Sequence, residues 1–231
     1  MPQDRFYLDA PLQTGQTVTL EESEFHHLKV LRIDPSEEIE LVNGHGFLAK
    51  ANLLKLDKRA AHLQISSCTH SPPPSPSISL ALALIRVNRL EWAIEKATEL
   101  GADEIFLYPA DYSEKEALSP HQLDRLRHLA ISALKQCGRL YLPRLSLSSL
   151  DEIFLTSNRI LYGDTNPNAT RINSSIEPTL FISGPEKGFS EREELLLQAK
   201  GTGVKLSENI LRAETAPLAA LSILKQRSIP I

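Results

Sequence analysis

A proline-rich segment at residues 71–77 restricts the folds open to this chain more than any other feature of its sequence. It reads Ser-Pro-Pro-Pro-Ser-Pro-Ser. Proline fixes φ and has no N–H to donate, so the segment cannot form a helix or a central strand. We therefore predict a stiff linker that divides the chain into one domain of residues 1–70 and another of residues 78–231.

The residues before the linker carry the pattern of short β-strands. Residues 17–20, 38–42 and 63–66 alternate or are β-branched. Asn43-Gly44-His45-Gly46 has the composition of a tight turn and predicts a hairpin. We also expect one short helix over residues 22–31. Several short strands in about 70 residues indicate a small β-barrel or sandwich.

After the linker, strand and helix patterns take turns. Alternation of this kind predicts an α/β domain with a mostly parallel sheet and helices on both faces. Ligands of such sheets sit at the carboxyl ends of the strands. Predicted strands cover residues 78–85, 104–108, 158–162, 179–182 and 204–206, and predicted helices cover residues 90–100, 123–137, 191–199 and 218–225.

A glycine-containing loop follows the predicted strand 179–182. Gly184-Pro185-Glu186-Lys187-Gly188 leads to Ser190 and Glu193, a capping box for the next helix. A strand, glycine loop and helix N-terminus in this order can hold a ligand against backbone N–H groups. Neither GxxxxGK[ST] nor GxGxxG is present. An ordinary βα turn is the alternative interpretation.

The loop after residue 206 mixes polar and large apolar side chains. Arg212, Glu214 and Thr215 lie close to Ile210 and Leu211. This mixture is typical of a pocket for a mostly flat ligand. A salt-bridged surface loop is the alternative.

Charge and cysteine content narrow the class of protein. The formal net charge is −4, which argues weakly against nucleic-acid binding, although a local patch can be basic. Cys68 and Cys137 form neither a disulfide framework nor a zinc motif, so we expect reduced thiols, a cytoplasmic location and no metal. The sequence contains no run of about 18 apolar residues, so no membrane span is predicted. The N-terminus lacks the apolar stretch of a secretory signal.

Each group of cationic side chains outside these loops can have either a binding role or a structural role. Arg139 can bind phosphate or complement the C-terminus of its helix. The group of Arg5, His26, His27, Lys29 and Arg32 is not a natural metal site, because adjacent histidines point in different directions. Structural histidines are the simpler interpretation.

Taken together, these segments resemble the bacterial 16S ribosomal RNA uridine-N3 methyltransferase family of the SPOUT class. The resemblance covers nearly the whole chain. Five segments carry it in the same order at plausible spacing: Phe25-His26-His27-Leu28-Lys29-Val30-Leu31-Arg32, Lys96-Ala97-Thr98-Glu99-Leu100-Gly101, Gln136-Cys137-Gly138-Arg139, Gly184-Pro185-Glu186-Lys187-Gly188-Phe189-Ser190 and Ile210-Leu211-Arg212-Ala213-Glu214-Thr215-Ala216.

The resemblance implies a PUA-like RNA-binding β-barrel followed by a trefoil-knotted SPOUT methyltransferase domain, and a homodimer that uses S-adenosylmethionine on 16S ribosomal RNA of the small ribosomal subunit. Arg212 and Glu214 would be catalytic. Arg5, Arg32 and Arg139 would bind RNA. The cofactor would be bound by Leu161, Ile182, Gly184, Glu186, Gly188, Leu206, Ser207, Asn209, Ile210, Leu211, Thr215 and Ala216.

The chain departs from the family pattern at a few positions. Lys187 replaces a glycine, and would be strained if that position needs a positive φ. Ser207 and Asn209 stand where the family has glycine and arginine, and Lys115 stands where it has arginine. A bidentate arginine contact would not survive the last exchange intact.

The resemblance leads to a mechanism and to alternatives from other classes. Arg212 would stabilise negative charge on the uracil, and Glu214 would accept the N3 proton directly or through water. A non-catalytic RNA-binding or ribosome-assembly protein that has lost the cofactor is one alternative, and a SPOUT enzyme acting on another RNA is a second. A nucleotide-dependent oxidoreductase is a third, disfavoured by the missing GxGxxG.

Overall fold

A computed structural model describes residues 4–34, 37–156 and 159–226 of the chain. The chain divides into two compact units. The first contains residues 1–73 together with residues 131–142, and the second contains residues 74–130 and 143–231. The first unit is therefore built from two separate stretches of sequence.

The first unit is a five-stranded sheet that curls around one apolar core, with a helix packed against it. The strand order is β1-β3-β4-β5-β2, in which β1 and β3 are parallel and the other neighbours antiparallel. Phe25 and Leu28 of the helix join the core of the sheet. The elements are β1 (Arg5–Tyr7), β2 (Thr17–Glu21), α1 (Glu22–Leu31), β3 (Glu38–Val42), β4 (Phe47–Leu56) and β5 (Ala60–His70).

The predicted hairpin is confirmed as β3 and β4, and its turn binds the chain segment that returns to this unit. Gly44 and Gly46 have φ values of 76° and 88°, which glycine adopts without strain. The Gly46 N–H donates to the Leu140 carbonyl at 2.8 Å, and the Leu142 N–H donates to the Gly44 carbonyl at 2.9 Å. A Cβ on Gly44 would lie 2.9 Å from the Cβ of Leu142. The turn can therefore contact residues 140–142 only because Gly44 and Gly46 have no side chains.

The second unit is a seven-stranded sheet in which every neighbouring pair is parallel, as the alternating pattern predicts. The strand order is β10-β12-β9-β11-β6-β7-β8. Its elements are β6 (Ile78–Ala83), α2 (Val87–Leu100), β7 (Glu104–Tyr108), α3 (Pro120–Cys137), β8 (Arg144–Leu147), α4 (Leu150–Ile153), β9 (Ile160–Gly163), β10 (Thr170–Arg171), β11 (Thr179–Ser183), α5 (Glu191–Lys200), β12 (Thr202–Lys205) and α6 (Thr215–Lys225). The C-terminal end of α3 belongs to the first unit.

Helix α2 follows the spacing of its apolar residues. Leu90, Ile94 and Ala97 are buried, as their helical spacing predicts. Gly101 ends the helix in the left-handed conformation, with φ of 99°, and its N–H donates to the Ala97 carbonyl at 3.1 Å. Lys96 forms an ion pair with Glu99, three residues along the helix, at 2.7 Å.

Short elements at the edges of the sheet escape prediction from the sequence. Strands β8 and β10 and helix α4 were not predicted, because none is long enough to display a period. Strand β12 starts at Thr202, earlier than expected. The expected start of β9 at Asn158 lies outside the described residues.

Candidate functional site

Three neighbouring strands have their carboxyl ends at the same end of the large sheet. In the order β12-β9-β11 they end at Lys205, Gly163 and Ser183. Because the strands are parallel, the loops that follow them emerge together. These loops, which are residues 164–167, 184–189 and 206–213, line a cleft of about 1000 Å³. That volume lies at the upper end of the ~300–1,000 Å³ typical of pockets for small molecules and cofactors.

The glycine loop after β11 is a tight turn. The Gly188 N–H donates to the Pro185 carbonyl at 3.0 Å. Gly188 has φ of 80°, and a Cβ placed on it would meet no atom within 4 Å. Among the described residues, the non-glycine residues with positive φ are Glu22 and Arg32. Lys187 therefore occupies a position with ordinary φ, and the strain considered from the sequence is absent.

Replacing Lys187 with glycine should lower the free energy of unfolding by about 0.4–1 kcal/mol, because glycine gives the unfolded chain more freedom. Gly188→Ala is the matched comparison in the same turn. It should lower the free energy by about 1–2 kcal/mol, since alanine must adopt the left-handed conformation. Urea denaturation measures both values. A Lys187→Gly protein more stable than the parent would mean that lysine is strained after all.

The loop after β12 is tied at both ends and presents an apolar side chain. The Asn209 N–H donates to the Ser207 hydroxyl at 3.2 Å, and the Ser183 hydroxyl donates to the Ala213 carbonyl at 3.3 Å. Ile210 lines the cleft, yet it is 85% exposed. Exposure of so large an apolar side chain in a concave site leaves a surface that a ligand can cover.

A group of ionised side chains, which we call the Arg89 cluster, adjoins the cleft. Arg89, in the first turn of α2, lies 3.2 Å through Nη1 from Oε1 of Glu186 and 3.7 Å through Nε from Oε1 of Glu214. Arg212 Nη1 lies 4.0 Å from the same Glu214 oxygen. The Glu214 side chain is only 9% exposed, and its Oε2 is buried with no hydrogen-bond partner among the described residues. One carboxylate oxygen of Glu214 is therefore held by cations, while the other makes no hydrogen bond among the described residues.

Most of the predicted cofactor residues come together in the cleft. Leu161 and Ile182 do not line it: they lie at 5% and 0% exposure within β9 and β11, because both strands are central in the sheet. Thr215 begins α6 and Glu214 is buried, and neither contributes to the cleft surface. The predicted residues that line the cleft are Gly184, Glu186, Gly188, Leu206, Ser207, Asn209, Ile210, Leu211, Arg212 and Ala216.

The predicted RNA-binding arginines all lie in the first unit. Arg5 is 8% exposed and forms an ion pair with Glu40 at 2.6 Å. Arg32 is exposed at the end of α1 with φ of 53°. Arg139 is partly buried in the segment that returns to this unit. Of the three, Arg32 has the surface position expected of a phosphate contact.

Arg89 is the residue that reasoning from the sequence missed. It follows the carboxyl end of β6, where the rule for parallel sheets places ligands, but no local motif marks it. The segment after β9 was missed as well, although Asp164-Thr165-Asn166-Pro167 has the composition of a turn. Applying the strand-end rule to every predicted strand would have found both.

The capping box predicted for α5 is present and is extended by a buried carboxylate. The Ser190 hydroxyl accepts from the Glu193 N–H, and Glu193 accepts from the Ser190 N–H at 2.9 Å. Glu193 also accepts from the Asp111 N–H at 3.0 Å and is 1% exposed. Arg192, followed by the Ser190 hydroxyl, lowers the pKa of Asp111 from its ordinary value. This network fixes the end of the glycine loop.

Ser190→Ala should lower the free energy of unfolding by about 1 kcal/mol or slightly more, because the helix loses its cap. Ser149→Ala removes the same capping box from the short helix α4, where the serine is exposed, and should have the smaller effect. Urea denaturation gives both differences. Equal losses would mean that burial of the network around Ser190 adds nothing.

Two features are absent from residues 4–34, 37–156 and 159–226. Within these ranges there is no group of three or more His, Cys, Asp or Glu side chains arranged to hold a metal ion. Over the same ranges, no helix has the length and apolar character needed to cross a membrane.

Two family models match this chain. Residues 72–225 match a family model described as the RNA methyltransferase domain, and residues 20–66 match one described as the RNA methyltransferase PUA domain. The ribosomal RNA small subunit methyltransferase E of Rickettsia conorii is 29% identical over 96% of this chain and 95% of its own length.

Solved structures give the same result. The crystal structure of a ribosomal RNA small subunit methyltransferase E from Neisseria gonorrhoeae bound to S-adenosyl methionine is 31% identical, covers 95% of each chain and has a TM-score of 0.83. A methyltransferase from Legionella pneumophila, in complex with the bound cofactor SAM, is 26% identical over 97% of this chain and 98% of its own, with a TM-score of 0.87.

Proposed function

The chain belongs to the RNA methyltransferase family of the ribosomal RNA small subunit methyltransferase E proteins, and we propose that it transfers a methyl group from S-adenosylmethionine to N3 of a uridine in 16S ribosomal RNA. The observation that carries the proposal is the cleft at the ends of β9, β11 and β12, with a buried carboxylate beside it.

The residues of the cleft fit this cofactor. The glycine loop brings backbone close to a ligand, and the side chains of Leu206, Ile210 and Leu211 offer apolar surface. Acidic side chains that suit a cation also line the cleft, namely Asp164, Glu186, Glu194 and Glu208. When bound, the cofactor supplies an electrophilic methyl group on a sulfonium that is a good leaving group.

Glu214 and Arg212 complete the chemistry of the site. The N3 nitrogen of uridine loses a proton as it bonds to the methyl carbon and the carbon–sulfur bond breaks. Glu214 accepts that proton at Oε2 through a water molecule, because its side chain does not line the cleft. Arg212, whose side chain is 77% exposed, reaches the substrate and stabilises negative charge on the uracil oxygens. Arg89 keeps Oε1 of Glu214 in place.

Further features of the proposal concern the partner and the setting. The substrate is the RNA of the small ribosomal subunit, bound in part by the first unit, whose match to a PUA domain supports this role. The protein acts as a homodimer, as the family resemblance implies, and its cysteine content favours a cytoplasmic location. The alternative of a protein that has lost its cofactor is disfavoured, since Lys187 adopts an unstrained conformation.

Calorimetric titration with S-adenosylmethionine is the first part of the test. The second part incubates the protein and cofactor with 16S ribosomal RNA, or with small subunits, that lack the modification, and analyses the nucleosides by mass spectrometry. Appearance of 3-methyluridine supports the proposal, and the two substrates reveal which form is used. No cofactor binding by a folded protein contradicts it. Cofactor binding with methylation of a different RNA would assign the chain to the other SPOUT alternative.

Ile210→Ser should weaken cofactor binding about tenfold. Complete burial of an isoleucine side chain contributes roughly 1.5–3 kcal/mol, and the bound cofactor would bury part of Ile210. Ile176→Ser is the matched control, since Ile176 is 95% exposed and does not line the cleft. Calorimetry compares both proteins with the parent. Equal effects of the two substitutions would exclude a specific contact at Ile210.

A further inference from the structure

The first unit contains a cavity of its own, of about 480 Å³. It is formed by the start of β1, the helix α1 and the C-terminal end of α3, all within the same unit. We call it the Arg5 cavity. Its lining includes Asp4, Arg5, His27, Leu31, Lys135 and Gln136.

Two residues that line this cavity each carry a buried nitrogen atom with no hydrogen-bond partner in the part of the chain that the structure describes. Arg5 donates through Nε and Nη2 to Oε2 of Glu40, at 2.8 and 2.6 Å, but its Nη1 is buried and makes no hydrogen bond among the described residues. The Arg5 side chain is only 8% exposed. Nδ1 of His27 is also buried and unpartnered among the residues described. Buried polar atoms are rarely left unpaired, so each calls for a ligand or an ordered water.

Both cations at the cavity are paired with carboxylates. Glu40 neutralises Arg5, and Glu24 neutralises Lys135 through a contact of 2.6 Å. Asp4 adds a further negative charge at the lining. A phosphate group would gain little from cations that are already paired with carboxylates, and it would be repelled by Asp4. The cavity therefore favours an uncharged ligand that accepts hydrogen bonds.

An unpaired nucleobase has the chemistry that these groups recognise. Arginine N–H groups donate to base carbonyl oxygens, and histidine can both stack on a base and bond to a ring nitrogen. The ring of His27 is fixed against Phe6, with centroids 5.2 Å apart, and Leu31 adds an apolar edge. Proteins that read RNA sequence do so mainly on bases splayed out of single-stranded regions.

We propose that the Arg5 cavity binds one unpaired base of the substrate RNA, at a site separate from the uridine that is methylated. The inference rests on the proposed function, because that function supplies the RNA. It gives Arg5 the role of a base contact in place of a phosphate contact. Arg32, which is exposed at the end of α1, keeps the role of a phosphate contact.

Salt dependence separates a base contact from a phosphate contact. The affinity of the full chain for unmodified 16S ribosomal RNA is measured by filter binding over a range of potassium chloride concentrations. His27→Phe keeps the ring against Phe6 and removes Nδ1. It should weaken binding about tenfold with an unchanged salt slope. Arg32→Gln should reduce the slope by about one.

A second variant tests whether the loss of affinity in His27→Phe comes from the cavity itself. Gln136→Trp places a large side chain in the cavity from an exposed position on α3, without altering the Arg5–Glu40 pair. It should weaken RNA binding at least as much as His27→Phe. Circular dichroism and urea denaturation establish that each variant is folded.

The outcomes distinguish this inference from the proposed function. If both cavity variants bind RNA like the parent, or if they lose affinity together with salt slope, the base site is wrong. If the parent itself neither binds the RNA nor methylates it, the proposed function has failed. Cofactor titration, which does not involve the Arg5 cavity, shows that the second unit of each variant is intact.

Discussion

Replacing Glu214 with glutamine should reduce the rate of methyl transfer by about 10²–10⁴-fold, the usual effect of removing a general base. The amide keeps the size of the carboxylate but cannot accept the N3 proton of uridine. Cofactor binding should be unchanged, because Glu214 does not line the cleft. The loss should therefore fall on kcat, measured under single-turnover conditions with saturating RNA and cofactor.

Glu177→Gln is the control for this prediction. Glu177 is an exposed carboxylate outside the cleft, paired with Arg159 at 3.5 Å, and its loss should leave the rate within about twofold of the parent, as for most exposed ion pairs. If Glu214→Gln retains the rate of the parent, Glu214 is not the base and the proton leaves by another route.

Replacing Arg89 with alanine should lower the rate by about 10²-fold, the effect expected when a reacting group is displaced by roughly 1 Å. Arg89 is the cation closest to both Glu186 and Glu214. Without it the two carboxylates lose the cation that they share, and Oε1 of Glu214 loses one of its two cationic contacts. Lysine at this position keeps the charge but lacks the fork that reaches both acids, so Arg89→Lys should recover only part of the rate.

Arg86→Ala provides the matched control at the start of the same helix. Arg86 is 61% exposed and is paired with Glu114, away from Glu214. Its removal should change the stability and the rate little. Equal losses for Arg86→Ala and Arg89→Ala would mean that general positive charge at this helix terminus matters, and that specific positioning of Glu214 does not.

Features that depend on local chemistry could be predicted from the sequence. Asn43-Gly44-His45-Gly46 defines the hairpin because glycine accepts positive φ. Gly101 ends α2 for the same reason. The capping box of Ser190 and Glu193 marks the start of α5 correctly. In each case, interactions among a few neighbouring residues determine the local conformation.

Features that depend on distant residues could not be predicted in the same way. The sheet order places β9 between β12 and β11, and no local pattern contains that information. Arg89 meets Glu186 across 97 positions of sequence. Arg5 faces Glu40 because β1 and β3 are parallel neighbours in register. The family resemblance provided the cofactor loops, but it provided neither Arg89 nor the neutralised state of Arg5.

The contact between the Gly44–Gly46 turn and residues 140–142 has a consequence for dissecting the protein. Cutting the chain at the proline-rich segment would not release a complete N-terminal module. Such a fragment would lack residues 131–142, which the first unit requires. The carbonyl of Gly44 and the N–H of Gly46 would lose their partners, and Glu24 would lose Lys135. An N-terminal module that folds alone therefore has to be engineered as a fusion that carries residues 131–142. The proline-rich segment separates two stretches of sequence, but the first folded unit includes residues on both sides of it.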